Sequence, residues 1–247
     1  MRAGLVMLSD TRTNAGLDNV STFGKMTVWE KPGDRVIALV AAGNLSISQS
    51  VINVLNERIE PKKGKSLGAT LMTVSSMFQA AGLVGQAVRE VYETDGKAME
   101  AQDAGFNVSI ILGGQIKGRE LRLFQIYSAG NFIEATEETP FLQIGEHKYG
   151  KPILDRAVSY DMDLTSAVKL GLVSMDSTMR SNLSVGLPID LLVYRRDALS
   201  VTLRRRIEAS DLYYLDLCQR WSEALRKAYT AIPTPPWMEQ DTRSEVA

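Results

Sequence analysis

The first third of the chain alternates short apolar runs with turn-forming residues, a pattern typical of β-strands. The runs cover 3–9, 25–30 and 35–42, and Lys-Pro-Gly-Asp at 31–34 separates the last two. The third run ends at a Gly-Asn pair. An apolar repeat of three and four residues begins there and predicts a helix over 45–59. These patterns predict three strands followed by an amphipathic helix.

The rest of the chain changes several times between the helical and the strand period. Helical spacing predicts helices over 66–95, 152–158, 164–179 and 211–229. Apolar or alternating runs predict strands over 106–112, 119–127, 132–135, 141–144, 185–195 and 200–205. Because strands come in groups and helices in pairs, this order predicts an α+β fold: a four-layer αββα sandwich of two antiparallel sheets flanked by helices. We expect one domain over 1–232 and a mobile C-terminal tail over 233–247.

Composition and charge argue against several functional classes. The chain has 247 residues, 28 basic and 29 acidic side chains and one cysteine. A chain of this length can bury about 70% of its unfolded surface, so its core needs neither disulfides nor metals. The balanced charge gives no reason to expect nucleic acid or an anionic membrane as a partner. The longest apolar runs are too short to cross a bilayer, and the start lacks a signal region. We therefore expect a cytoplasmic protein.

Residues with catalytic chemistry are concentrated near the start of the chain. His147, the only histidine, lies in a polar stretch that we interpret as a surface loop, and the motifs of common metal sites are absent, so we expect no metal and no cofactor. Asp10 directly follows an apolar strand, where an acid often serves only to form a turn. Alternatively, Asp10 and Lys25 face each other across a site, where an Asp-paired lysine keeps a neighbouring hydroxyl reactive. The residues alone leave both interpretations open.

Four segments of the chain resemble a known family. They are GLVMLSDTRTNAG at 4–16, FGKM at 23–26, ALVAAGN at 38–44 and TMRSNLSVGLPIDLLVY at 178–194. Together they are similar to bacterial proteasome-type β-subunits of the Anbu, or ancestral β-subunit, branch. The resemblance implies the αββα fold of N-terminal-nucleophile hydrolases and the activity of a threonine-type peptidase or amidohydrolase. It also implies a homo-oligomer, either a ring or an open helical assembly, that acts on peptides or unfolded protein.

The resemblance also assigns catalytic roles. In the family an N-terminal threonine attacks the peptide carbonyl, with its own α-amine as the general base. Asp10 and Lys25 match the carboxylate and the lysine that activate this threonine, and Gly43 matches the glycine of the oxyanion hole. Ser184 matches a serine near the nucleophile. Ser181 stands where ordinary proteasome subunits carry an aspartate, and Glu146 stands where they carry a serine.

Substrate-binding positions follow from the same resemblance. Thr13 and Asn14 match the edge that pairs with the substrate backbone. Phe23, Ala41 and Leu45 match the lining of the pocket for the residue that precedes the cleaved bond.

The chain departs from the family pattern at its start. Family members carry a further strand, headed by threonine, ahead of the Ala-Gly-Leu-Val run, whereas here only Met1 and Arg2 precede that run. No Gly-Thr, Gly-Ser or Gly-Cys dipeptide is present at which self-cleavage would expose a nucleophile. Two hypotheses follow. Either the first strand lies upstream of Met1, or the protein is a catalytically silent subunit for peptide binding or assembly.

Overall fold

A computed structural model of the chain describes residues 1–14, 20–60, 68–101 and 105–238. The strands are β1 (Gly4–Asp10), β2 (Arg12–Asn14), β3 (Val20–Thr22), β4 (Met26–Lys31), β5 (Arg35–Gly43), β6 (Val108–Ile116), β7 (Arg122–Ile126), β8 (Phe132–Glu134), β9 (Ile189–Arg195) and β10 (Leu203–Ile207). The helices are α1 (Leu45–Ile59), α2 (Met77–Val91), α3 (Lys97–Glu100), α4 (Lys151–Ala157), α5 (Leu164–Ser181) and α6 (Leu212–Thr230), and a π-helical turn, Tyr92–Gly96, joins α2 to α3. The chain divides into two compact units, Met1–Ala209 and Ser210–Ala247.

The first unit is built on two main antiparallel sheets. Strands β4 to β8 form a five-stranded meander, in which every neighbour in the sheet is also a neighbour in sequence. The other sheet has the order β1-β9-β10, so β1 near the start of the chain pairs with β9 near its end. In that pair Gly4 lies opposite Arg195 and Asp10 lies opposite Ile189. The predicted α+β class with two antiparallel sheets is confirmed.

Both faces of β5 are buried, which explains why its sequence is apolar without alternation. One cluster of buried side chains joins β5 to β1 and β9 and includes Leu5, Met7, Val36, Ala38, Val40 and Leu192. The other joins β5 to α1 and α2 and includes Ile37, Leu39, Ile47, Val51 and Val84. The five-stranded sheet therefore packs against the second sheet with one face and against two helices with the other.

Helix α1 begins where the sequence predicts, directly after β5. The Asn44 side chain caps it by accepting a hydrogen bond from the Ser46 N–H at 2.9 Å. The Asn44 N–H in turn donates to the Asn107 carbonyl at 2.8 Å. The cap therefore fixes the turn between β5 and α1 against the chain that enters β6.

Helix α5 packs against β1. Asp163 caps its first turn by accepting from the Ser166 N–H at 2.9 Å. Gly171 gives β1 close access to the helix, because a Cβ at this position would lie 2.6 Å from a methyl carbon of Leu8. Since Ala167, Gly171 and Met175 follow one another at four-residue spacing, they share one helix face.

The predicted helix over 66–95 is wrong in its first part. Residues 66 and 67 lie outside the described part of the chain, residues 68–76 form turns, and α2 begins only at 77. Hydroxyl groups compete with a helical backbone here. Thr73 Oγ1 accepts from the Thr70 N–H at 2.9 Å, and Ser76 Oγ accepts from the N–H of Gln79. The apolar spacing alone gave no sign of this competition.

Two predicted strands also need correction. Residues 141–144 form no strand, although Leu142 and Ile144 pack their side chains against the cluster between the sheets. The strand predicted over 185–195 begins only at Ile189, because Pro188 lacks the N–H that a sheet requires. Strands β2 and β3 pair with each other and were not predicted.

The second unit contains α6, in agreement with the helix predicted over 211–229. Asp211 caps it by accepting from the Tyr214 N–H at 2.9 Å. Residues 231–238 after the helix are exposed, and the remainder of the expected tail, from 239 onward, lies outside the described residues.

Candidate active site

Asp10 and Lys25 are in contact at the point where β1 of one sheet ends and β4 of the other sheet begins. Asp10 is the last residue of β1, and Lys25 directly precedes β4. Lys25 Nζ donates to Asp10 Oδ1 at 2.7 Å, and the two side chains are only 20% and 12% exposed. Because little water reaches the pair, its attraction is stronger than that of an ion pair on the surface. The sequence hypothesis of a facing pair is therefore correct in its geometry.

The second oxygen of the Asp10 carboxylate is held by the backbone. Oδ2 accepts from the Arg12 N–H at 3.1 Å and from the Gly186 N–H at 3.4 Å. The bond to Arg12 is the local turn that an aspartate after a strand typically forms. Asp10 thus forms the turn and also faces Lys25, so the two geometries that the sequence left open occur together.

Gly43 ends β5 beside this pair, in a conformation that favours glycine. Its φ is +105°, and a Cβ there would lie 2.5 Å from the Asn107 carbonyl oxygen. The Ala41 N–H donates to the Lys25 carbonyl at 3.1 Å. Because N–H groups alternate in direction along an antiparallel strand, the Gly43 N–H faces the same edge of β5 as that of Ala41. A backbone donor is therefore directed to the side on which Lys25 lies.

A groove of about 870 Å³ extends along β1 and contains the Asp10–Lys25 pair. We call it the β1 groove. One wall comes from α4, α5 and the chain between them and includes Leu154, Val158, Ala167, Gly171 and Met175. The other comes from the five-stranded sheet and the chain after β8 and includes Val40, Ile111, Leu123, Leu142 and Ile144. Both walls are mainly apolar, and the groove follows a strand that is roughly 24 Å long.

Strand β1 pairs on one side only within the described ranges. The Arg196 N–H donates to the Ala3 carbonyl at 3.1 Å. From Ala3 onward, every second residue of β1 therefore forms its backbone hydrogen bonds with β9. By this alternation Val6 and Leu8 direct their N–H and C=O groups away from β9. Such an unpaired edge is a template for another strand.

Three buried polar atoms of residues that line the β1 groove have no hydrogen-bond partner among the described residues. They are Ser9 Oγ, Arg12 Nε and Gln143 Oε1, and Ser9 is only 8% exposed. An unsatisfied buried polar group costs about 1–3 kcal/mol, so such groups normally have a partner. The groove therefore offers polar atoms that can hydrogen-bond an extended backbone, in addition to apolar walls that can contact its side chains.

The chain ahead of β1 turns back toward the groove. The Gly4 N–H donates to the Met1 carbonyl at 3.3 Å, which closes a turn, and Met1 itself lines the groove. Burial lowers the pKa of the Met1 amino group, and the positive charge of Arg196 lowers it further. The nitrogen therefore lies in a poorly solvated position.

Ser184 reaches the groove on the turn that follows α5. Its Oγ donates to Asn182 Oδ1 at 2.6 Å, and Asn182 Nδ2 donates to Glu146 Oε2 at 2.7 Å. The Lys148 N–H and the Asn182 amide lower the pKa of the Glu146 carboxyl, because both stabilise its charge. Ser184 and Glu146 both line the β1 groove.

Thr11 is the hydroxyl residue next to Asp10 in sequence, but its side chain has a structural contact. It is fully buried, and its Oγ1 donates to the Pro188 carbonyl at 2.8 Å. This bond ties the end of β1 to the start of β9.

Residues 1–14, 20–60, 68–101 and 105–238 contain neither a metal-binding cluster nor a helix that could cross a membrane. Within these ranges there is no group of three or more His, Cys, Asp or Glu side chains arranged to hold a metal ion. No helix in the same ranges combines the length and the apolar character needed to cross a membrane. His147 is exposed in a loop, as predicted, with Nδ1 3.1 Å from the Gly145 carbonyl oxygen.

Comparison with known proteins gives a clear result at the level of solved structures. No family model matches the chain, and no curated protein matches it. A mutant of Anbu labelled Gly-1, from Hyphomicrobium sp. strain MC1, is 51% identical, with a TM-score of 0.88 over 95% of this chain and 96% of that one. Anbu (ancestral beta-subunit) from Yersinia bercovieri is 45% identical, with a TM-score of 0.87 over 94% and 95%. The structure described as the helical assembly of the Anbu complex from Pseudomonas aeruginosa is 46% identical, with a TM-score of 0.87 over 95% of each chain.

The chain belongs to the Anbu family. This family is a proteasome-like group of N-terminal-nucleophile hydrolases, so the resemblance inferred from the sequence is confirmed.

The catalytic positions expected for an Anbu chain do not all meet in the β1 groove. Asp10, Lys25, Gly43 and Ser184 line it. Ser181 is exposed at the end of α5 and is not among the lining residues.

Asn182 contacts Ser184 in place of Ser181, and sequence reasoning missed it. The Asn-Leu-Ser sequence after a predicted helix end was an available signal, because an asparagine there often binds the backbone two residues on.

The expected substrate-binding positions are likewise divided. Thr13, Ala41 and Leu45 line the β1 groove. Phe23 is not among its lining residues, and its N–H donates to the Thr11 carbonyl at 2.7 Å. Asn14 lies in β2, but its side chain is outside the described part of the chain.

Proposed function

We propose that this Anbu-family protein is a threonine-type peptidase or amidohydrolase, whose nucleophile is the first residue of a strand that precedes Met1 and fills the β1 groove. The observation that carries the proposal is the nearly buried Asp10–Lys25 pair at the end of a strand with one open edge. A partly buried lysine that is paired with an aspartate is suited to keep a neighbouring hydroxyl in its reactive form.

The direction of the preceding strand follows from the turn at Met1. A strand that leaves this turn backwards runs antiparallel to β1, so its first residue lies beside the last residue of β1, which is Asp10. Backbone groups of the strand would pair with those of Val6 and Leu8, and its alternating side chains would contact the two apolar walls. Ser9 Oγ and Gln143 Oε1, which have no hydrogen-bond partner in the described part of the chain, support the same occupant.

The proposed chemistry uses the residues at that end of the groove. The threonine Oγ attacks the substrate carbonyl carbon, and its proton passes to the threonine α-amine, whose ordinary pKa near 8 suits a general base. Lys25 stabilises the developing charge on Oγ, and the Gly43 N–H donates to the oxyanion. The C–N bond then breaks, and the leaving amine takes the proton from the α-ammonium group. Water hydrolyses the ester that remains and restores the free threonine.

The same proposal includes the four-layer αββα sandwich. The two clusters of β5 support three of its layers, namely α1 with α2, the five-stranded sheet and the three-stranded sheet. The close approach of Gly171 to Leu8 supports α5 as part of the fourth layer. A strand in the β1 groove would add one more strand to the smaller sheet, beneath α5.

Self-assembly is the second part of the proposed function. The relative from Pseudomonas aeruginosa is described as a helical assembly. We infer that this chain also forms a homo-oligomer that admits peptides or unfolded protein. The alternative function, a catalytically silent subunit that binds peptides or serves as an assembly shell, would use the same self-assembly.

Covalent labelling distinguishes the two functions. The chain is produced with a threonine-headed strand ahead of Met1, exposed by cleavage of a leader, and is treated with an epoxyketone or β-lactone probe. Intact mass should show one adduct per chain, located on the threonine by peptide mapping, and a control headed by alanine should show none. Absence of the adduct on a correctly exposed threonine would refute the peptidase. N-terminal sequencing of the native protein tests the strand, and a native start at Met1 would contradict it.

A further inference from the structure

Ser184 is the end of a chain of side-chain hydrogen bonds that begins outside its own turn. Glu146 Oε2 accepts from Asn182 Nδ2 at 2.7 Å, and Asn182 Oδ1 accepts from both the N–H and the Oγ of Ser184, at 2.8 and 2.6 Å. Glu146 is itself fixed, because its Oε1 accepts from the Lys148 N–H at 2.8 Å. Asn182 thus links the stretch after β8 to the turn after α5.

The chemistry of its neighbours sets the orientation of the Asn182 amide. An ionised carboxylate accepts hydrogen bonds and does not donate them, so Glu146 binds the NH₂ end of the amide. The backbone N–H of Ser184 only donates, so it binds the oxygen end. Flipping the amide would place two acceptors together and two donors together. Glu146 therefore determines which end of Asn182 faces Ser184.

This orientation determines what Ser184 offers to the β1 groove. Its hydroxyl proton is engaged by Asn182 Oδ1, so the oxygen presents its lone pairs. It can therefore accept a hydrogen bond from a group in the groove, and an amino group is a donor of that kind.

The turn that carries Ser184 is tied to the Asp10 end of the groove on both sides. Arg12 Nη1 donates to the Leu183 carbonyl at 2.7 Å, and the Gly186 N–H donates to Asp10 Oδ2. The backbone of the turn is therefore placed by Arg12 and Asp10. The direction of the Ser184 hydroxyl is left to Asn182.

We propose that Asn182, oriented by Glu146, is a positioning residue for the hydrolysis, because it turns Ser184 to accept a hydrogen bond from the amino group of the nucleophilic residue. This role rests on the proposed function. It also accounts for two departures of the chain from ordinary proteasome subunits, Ser181 and Glu146. Ser181 does not line the groove, and Asn182 together with Glu146 orients Ser184 instead.

The role is tested by substitutions that swap the amide and the carboxylate between positions 182 and 146. Asn182→Asp keeps an oxygen for Ser184 but sets a second carboxylate against Glu146. Glu146→Gln leaves one acceptor for two donors, the Lys148 N–H and the Asn182 amide. The double variant Asn182→Asp/Glu146→Gln restores both bonds, because the oxygen of the new amide still accepts from the Lys148 N–H while its NH₂ group donates to the new carboxylate. Ser181→Ala is the matched control from the same helix end.

The rate constant of labelling by a β-lactone probe is measured in threonine-headed protein, together with the melting temperature. We expect a rate about tenfold lower in each single variant, recovery to within about threefold in the double variant, and no change in Ser181→Ala. The probe concentration at half-maximal rate should stay constant, because the contact orients the amino group and does not bind the probe.

The outcomes separate the two proposals. A labelled wild type with unchanged rates in both single variants overturns the role of Asn182 and leaves the proposed function intact. Rates that fall only in proportion to the melting temperature, or a double variant no faster than the singles, also overturn the role. A wild type that is not labelled overturns the proposed function and the role with it.

Discussion

Lys25 Nζ lies 2.7 Å from Asp10 Oδ1, and the other oxygen of the same carboxylate binds two backbone N–H groups. The lysine is therefore held by a carboxylate that cannot easily rotate. This relationship distinguishes the pair from a surface ion pair, which contributes about 0–1 kcal/mol and is seldom fixed in one geometry. The first prediction follows from it.

Lys25→Ala in threonine-headed protein should lower the rate of probe labelling by at least about a hundredfold, because the hydroxyl loses the charge that activates it. Stability should fall by no more than about 3–5 kcal/mol, the cost of removing one partner of a buried pair, since Asp10 keeps its bonds to Arg12 and Gly186. Labelling followed by intact mass and urea unfolding measure the two effects. Lys31→Ala, at the exposed end of β4, is the control and should behave as wild type. Undiminished labelling in Lys25→Ala would reject the role of this lysine.

Gly43→Ala should destabilise the protein more than Gly33→Ala. Both glycines have a positive φ, +105° and +76°, so each substitution carries a strain of about 1–2 kcal/mol. Only Gly43 has backbone atoms of Asn107 in the way of a Cβ, whereas Gly33 has nothing within 4 Å. The clash should add about 1–3 kcal/mol. Thermal unfolding of the two variants measures the difference, and equal losses would show that β5 can move away from β6 at little cost.

Ala167→Trp should report whether a strand occupies the β1 groove. In protein with the preceding strand, the indole competes for the same space and should cost about 1–3 kcal/mol. In protein that starts at Met1, the indole has room in the groove and should cost much less. Lys169→Trp, on the exposed side of α5, is the matched control and should have little effect in either form. Equal effects of Ala167→Trp in the two forms would contradict occupation of the groove.

Glu146→Gln should lose stability relative to wild type in a manner that depends on pH. Hydrogen bonds from the Lys148 N–H and Asn182 lower the folded-state pKa of Glu146 from its ordinary 4.5. A carboxyl with a lowered folded pKa contributes its full stabilisation above the unfolded value and loses it as pH falls through the folded value. The difference between the two proteins should therefore be constant at neutral pH and should shrink below 4.5. Urea unfolding over a series of pH values measures it, and a difference that grows in acid would contradict the assignment.

Much of the fold could be predicted because burial dictates local pattern. The run at 35–42 is apolar throughout because both faces of β5 are covered, and α1 starts at the Gly-Asn pair because Asn44 can cap it. The errors occurred where side chains compete with the backbone. Thr70, Thr73 and Ser76 delay the start of α2, and Pro188 delays the start of β9. Apolar spacing carries no information about such local hydrogen bonds.

The sequence by itself determined which residues could carry the chemistry: an aspartate after a buried strand, a lysine before the next one and a glycine at a sharp turn. Only the tertiary structure decided how they meet, because β1 pairs with β9 near the other end of the chain and no local pattern encodes that pairing. Within the residues that the structure describes, the same long-range pairing leaves one edge of β1 open between α5 and the larger sheet. The contact of Asn182 with Ser184 is local, whereas the contact of Asn182 with Glu146 joins distant parts of the sequence and, like the β1 groove, exists only in the folded chain.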